Sequence, residues 1–113
     1  MFNEVVLIGR LARKPEMKEY DGIKLATIVM DVERPYRNSL GVREHDYINC
    51  ILWKGISQAV MDCCDEGSFL GIKGRLQSKP NDSSKKNTSL ITEVKVEHVE
   101  FLDRYFQESS MKK

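Results

Sequence analysis

The chain has 113 residues and 13.0 kDa, with 41% hydrophobic and 31% charged residues and a formal net charge of +1. That length suits one domain with a modest core, and the balance excludes a disordered chain. The longest apolar runs, VVLIG and LATIVM, are far too short to span a bilayer, and the near-neutral charge is not that of a strongly basic nucleic-acid binder.

Asn3 to Leu11 is rich in β-branched residues and reads as a strand. Gly9 within it marks a bulge or the close approach of another backbone. Arg10 beside it faces either a ligand or solvent. After Pro15, Glu16 to Tyr20 extends a hairpin whose Asp21-Gly22 turn is a type I′ signal. Ile23 to Glu33 follows as a long strand, with Ala26, Ile28 and Met30 on one face and Leu25, Thr27 and Val29 on the other. Apolar residues on both faces imply cover on both sides. Pro35 to Glu44 is a polar loop.

Asp46 to Trp53 is the next strand. Its alternation puts Ile48, Cys50 and Leu52 toward a core, and Tyr47, Asn49, Ile51 and Trp53 on the opposite face. With Tyr36 in the preceding loop, three rings then lie among Arg34, Arg37 and Arg43. Aromatic faces stack nucleobases and arginines neutralise phosphates, so this stretch is a candidate for single-stranded nucleic acid. The same rings also suit ordinary strand packing or a subunit interface.

One helix follows, from Gly55 or Ile56 to Cys64. Ile56, Ala59, Val60, Cys63 and Cys64 form its apolar stripe, and Gly67 is placed as a C-cap. Ser68 to Leu76 returns to strand, with Leu70, Ile72 and Leu76 inward and Phe69, Lys73 and Arg75 opposite. Gln77 to Ser89 is polar and reads as a mobile hairpin tip, with Lys79, Lys85 and Lys86 in or near it. In the last strand, Leu90 to Leu102, the apolar phase shifts between Val96 and Val99, which predicts a bulge near Glu97–His98. Residues 104–113 read as a polar, frayed tail after a single domain over 1–103.

Three cysteines, two of them adjacent, make a poor disulfide framework and suit a reducing cytoplasm. No basic flank with a long apolar stretch opens the chain, so no signal peptide is expected. Paired carboxylates, metal-ligand spacings and phosphate loops are missing, so neither an enzyme nor a cofactor or metal site is expected. The strand order, three strands, one helix and two strands, is that of a five-stranded Greek-key barrel of the OB type, an all-β fold with one short helix.

Four segments in this order, FNEVVLIGRLARKPEMK, ERPYRNSLGVREHDYINCILW, GSFLGIKGRLQSK and TEVKVEHVEFLD, resemble the bacterial single-stranded DNA-binding protein family. The resemblance implies an OB barrel, a homotetramer, single-stranded DNA as partner and no catalysis. It places base-stacking roles on Tyr36, Tyr47 and Trp53. Arg10, Arg34, Arg37, Lys54, Lys73, Arg75 and Lys79 are the candidate phosphate contacts.

A fourth stacking position of the family falls on Asn81 here. The missing ring implies weaker binding, since stacking contributes about 1–3 kcal/mol per base. The chain stops at SSMKK, without the acidic tip that recruits replication enzymes in relatives, so that recruitment is not expected. A second reading is an OB-type protein-interaction subunit of a replication-restart or recombination assembly, with weak DNA binding of its own.

Overall fold

In a computed structural model of the chain, residues 2–80 and 89–103 are described. The strands are β1 (Val5–Leu11), β2 (Glu16–Tyr20), β3 (Ile23–Arg37), β4 (Arg43–Leu52), β5 (Phe69–Pro80) and β6 (Leu90–Phe101), with helix α1 (Lys54–Cys63) between β4 and β5. They hydrogen-bond in the order β1-β5-β6-β4-β3-β2. Arg10 pairs with Asp31 and Leu11 with Met30, so β1 also meets β3 and closes five strands into a barrel. β2 stands outside this ring, as a hairpin partner of β3. All pairs are antiparallel except β4–β6, which run parallel from Cys50 with Val94 to Leu52 with Val96. This is the five-stranded OB barrel that the strand order implied.

Period-two alternation fills the barrel. Leu11, Ile28, Met30, Cys50, Leu52, Leu70, Ile72, Val94 and Val96 are buried together, and Val60 of α1 plugs one end. The helix is docked by a polar link as well. The buried Ser57 hydroxyl accepts the Ala26 amide at 2.8 Å and donates to the Trp53 carbonyl at 2.8 Å. Gly9 sits where β1 crosses β3, and a Cβ there would be driven into the Asp31 carbonyl. Close backbone approach is therefore the reason for that glycine. Asp21 and Gly22 have φ of 48° and 81°, as a type I′ turn requires. Between Lys73 and Gly74 the register with β6 shifts, from His98 to Val96, which makes Glu97 the expected bulged residue.

Several expectations are corrected. Tyr36 lies within β3 and not in a loop, because β3 and β4 pair out to Arg37 and Arg43; the turn is confined to residues 38–42. Trp53 has left the strand and is the N-cap residue of α1. Ile51 is buried despite sharing alternation with the rings, and Cys63 is exposed while Ser57 takes its place in the buried stripe. Cys64 caps the helix; Gly67, at φ 87°, belongs to the turn after it. Leu76 and Leu90 point outward, 49% and 67% exposed, because the β5–β6 hairpin runs on past the barrel and has no core to cover it. The expected hairpin tip with Asn81, Lys85 and Lys86, and the tail 104–113, lie outside the described residues.

Candidate nucleic-acid interface

Residues directly opposite one another on neighbouring strands project to the same side of a sheet. Arg10 on β1, Asp31 on β3 and Tyr47 on β4 therefore form one outer row, and Thr27, Ile51, Lys95 and Arg75 form another. Tyr47 and Trp53 stand at the two ends of this outer surface. Six residues at about 3.3 Å each separate them, or about 20 Å. Tyr36 is 61% exposed, Tyr47 64% and Trp53 37%.

The Tyr36–Tyr47 end is dense in ion pairs. Two extra residues of β3 are accommodated between Glu33 and Arg37. Arg34, two residues past Val32, reaches diagonally across to Asp46, the β4 partner of Val32. The Arg34 guanidinium donates through Nε and Nη2 to both Asp46 carboxylate oxygens, at 2.8–3.2 Å, and Nη1 lies 3.6 Å from Glu44. That hydrogen bonding holds Asp46 below the usual carboxylate range and Arg34 above its own. Arg43 faces Glu33 at 3.5 Å, and His45 Nδ1 lies 2.5 Å from Asp31 Oδ1. Arg37 donates to the Gly41 carbonyl at 3.0 Å and so braces the turn, whose amides at Leu40 and Val42 are taken by the Asn38 side chain.

The Trp53 end is built differently. A groove of about 470 Å³ runs from Trp53 between the β2–β3 hairpin and the β5–β6 hairpin. Ile23, Leu25 and Ile51 give it an apolar floor, and Lys54, Lys79 and Lys95 stand on its walls. Lys54 and Lys95 make no ion pair among the described residues. Lys79 is engaged: it lies 3.4 Å from the buried Glu93 carboxylate and 5.2 Å from the Tyr20 ring centroid. A smaller recess of about 170 Å³ adjoins it, lined by Arg13, Lys18, Thr27, Val29 and Asn49 and sharing Tyr20, Lys79 and Glu93. Trp53 itself is seated by Gly55. A Cβ at that position would come within 2.9 Å of the indole Nε1.

A family model described as the single-strand binding protein family matches residues 2–102. The chain belongs to that family. A single-stranded DNA-binding protein of Halalkalibacterium halodurans is 38% identical over 104 residues, 91% of this chain and 62% of its own length. Single-stranded DNA-binding protein B of Bacillus subtilis is 34% identical over 91% of this chain and 92% of its own length. This chain thus spans less than two thirds of the first relative and nearly all of the second. Among solved structures, a Plasmodium falciparum SSB in complex with single-stranded DNA superposes with a TM-score of 0.76 at 21% identity, over 91% of this chain and 96% of that one. The likeness extends to the whole OB barrel. The family is one of DNA-binding proteins and not of enzymes.

On this family scaffold the ten candidate residues do not gather at one place. Tyr36, Tyr47, Arg34 and Arg37 share one end of β3–β4, while Trp53, Lys54 and Lys79 share the groove. Arg75 stands on the row with Lys95. Arg10 donates to the Gly67 carbonyl at 3.0 Å and lies over the Phe69 ring at 4.9 Å. Lys73 is apart from all the rings, 3.8 Å from Glu4 and beside the exposed Val6 and Ile8. Lys18 and Lys95, which line the recess and the groove, are not among the ten. For Lys95 the available signal was its exposed place between the buried Val94 and Val96. Burial pushes the Cys50 thiol up to about 12 and Cys64 up to about 11, as suits inert core thiols. Among the described residues no group of His, Cys, Asp or Glu is placed to hold a metal ion, and no helix is long and apolar enough to cross a membrane.

Proposed function

We propose that this family member binds single-stranded DNA without sequence preference, in replication, recombination or DNA uptake. The observation that carries the reading is the set of exposed rings on an OB barrel, Tyr36 on β3, Tyr47 on β4 and Trp53 at the N-cap of α1. Bases stack on these rings, and Lys54, Lys95 and Arg75 neutralise the phosphates between them. Relatives bearing the name single-stranded DNA-binding protein, and a structural neighbour holding single-stranded DNA, support it.

The chain works as a homotetramer in this reading. Val6 and Ile8, 68% and 58% exposed on the outer side of β1, give an apolar patch suited to a second copy. It acts in the cytoplasm at the nucleoid, a reducing setting that fits three free thiols. Residues 1–103 are the binding domain and 104–113 a polar tail. Labelled oligo-dT and a duplex of equal length, titrated by fluorescence anisotropy from low to high salt, test the binding. The single strand is retained, more tightly than the duplex and less as salt rises; no retention at low salt overturns the reading.

A second reading, a protein-interaction subunit with weak DNA binding, draws on Leu40 and Val42. These are 84% and 56% exposed at the β3–β4 turn, beside arginines already paired with carboxylates. A stable protein partner together with negligible affinity for oligo-dT identifies that case.

A further inference from the structure

The contact between the two hairpins has no evident purpose in the barrel. β5 and β6 already pair along their backbones from Leu70 with Phe101 to Pro80 with Leu90. Yet Glu93, a carboxylate only 5% exposed, is buried at the groove's edge, where it accepts from Gln77 Nε2 at 3.1 Å and draws Lys79 to 3.4 Å. Burying a carboxylate is costly unless it is paired. The ammonium it holds lies 5.2 Å from the centroid of Tyr20, at the tip of the β2–β3 hairpin. Burial pulls the Lys79 ammonium down, but Glu93 and Tyr20 together outweigh that and keep it charged.

Tyr20 is half-buried and borders both the wide groove and the smaller recess. In the wide groove it lines the same apolar space as Trp53. A ring at a hairpin tip is ordinarily free to swing, so any partner that needs it must bear the entropy of fixing it. Here a cation–π contact from the neighbouring hairpin fixes it beforehand. The groove's volume, about 470 Å³, falls within the roughly 300–1,000 Å³ of sites that take small ligands. A nucleobase is flat and apolar on its faces, which matches a slot with rings on its walls and aliphatic groups on its floor.

We propose that Tyr20 is a further base-stacking residue, and that Lys79 and Glu93 act through it as positioning residues. Lys79 is then not a phosphate contact, because its charge is already met by Glu93. The proposal rests on the reading that this groove takes single-stranded DNA.

Anisotropy titrations of labelled oligo-dT at several salt concentrations test it, with each variant's fold checked by circular dichroism. Tyr20→Leu weakens binding about fivefold or more, with the salt dependence unchanged, whereas Tyr20→Phe binds as the unmodified chain does. Lys79→Met weakens binding by a smaller factor, again with the slope unchanged, and adds nothing once Tyr20 is replaced by Leu. Unaltered affinity in Tyr20→Leu, or a slope reduced by about 0.7 in Lys79→Met as for a lost phosphate contact, overturns the proposal while leaving the DNA-binding reading intact. Failure of the unmodified chain to bind removes both. Should Tyr20→Leu not fold, Tyr20→Trp in a Trp53→Phe background gives a direct readout. Its fluorescence is quenched by oligo-dT if the position stacks, and an unquenched indole refutes the assignment.

Discussion

At the Tyr36–Tyr47 end of β4, Arg34 and Arg43 are matched by Asp46, Glu44 and Glu33, whereas at the Trp53 end Lys54 and Lys95 make no ion pair among the described residues and stand beside an apolar groove. The first arrangement fixes the shape of a hairpin: its cations are spent on holding the bulge and the turn. The second leaves positive charge and apolar surface available together, the combination that favours a stacked base with its phosphate. Proximity of arginine to aromatic residues in sequence therefore does not show which cations are left to meet a phosphate.

The largest expected effect is from Trp53→Ala, which costs about 2–3 kcal/mol in affinity for oligo-dT against about 1–2 kcal/mol for Tyr47→Ala or Tyr36→Ala. Anisotropy titrations rank them, and equal losses would erase the contrast between the ends. Next comes charge. Lys54→Ala combined with Lys95→Ala lowers the slope of log affinity against log salt by about 1.4, at 0.7 per phosphate contact. Arg34→Ala leaves the slope nearly unchanged and instead lowers the melting temperature, because its guanidinium is held by Asp46. A slope change in Arg34→Ala would break the comparison.

A smaller effect sharpens the Trp53 end alone. Gly55→Ala displaces the indole, shifting Trp53 emission and weakening oligo-dT binding by less than Trp53→Ala does, with no loss of melting temperature. Unchanged emission would show that the indole does not depend on that space. The smallest effect separates the core from both ends. Cys63 reacts with a thiol reagent in the folded chain, while Cys50 and Cys64 react only on unfolding. Both buried thiols stay protonated in the folded state up to about 12 and 11, whereas the unfolded chain releases those protons from about pH 9. Folded pKa values raised in this way contribute stability below pH 9 that is lost as pH rises beyond it. Urea midpoints measured from pH 7 to 10 should be flat and then decline.

Much of the barrel was legible because its signals are local. The Asp21-Gly22 turn, the phase shift that marks Glu97, and the glycine at the β1–β3 crossing each announce themselves within a few residues. What escaped depends on partners distant in sequence. Leu76 obeys the alternation that buries Leu70 and Ile72, but past Gly74 the hairpin leaves the barrel and its inward side faces nothing. Ile51 shares alternation with Tyr47, yet Thr27 lies beside it on β3 and Lys95 on β6, in the cleft between the hairpins. Of the three rings, the strand pattern placed Tyr47 outward on its strand, whereas Tyr36 was expected in a loop and Trp53 within the strand. The pairing of Arg34 was not readable, since it depends on the register that sets Asp46 beside Val32, within diagonal reach of Arg34. Nor was the burial of Glu93, a carboxylate in a strand where alternation alone would place it outside.

In the proposed function Trp53 contacts bases of a single strand held on this face. Intrinsic fluorescence reads it directly, because Trp53 is the chain's one tryptophan. Titration with oligo-dT at low salt should quench that emission to saturation, and added salt should restore it as the strand dissociates. Emission that stays constant while the oligonucleotide is demonstrably bound would show that Trp53 does not contact the bases.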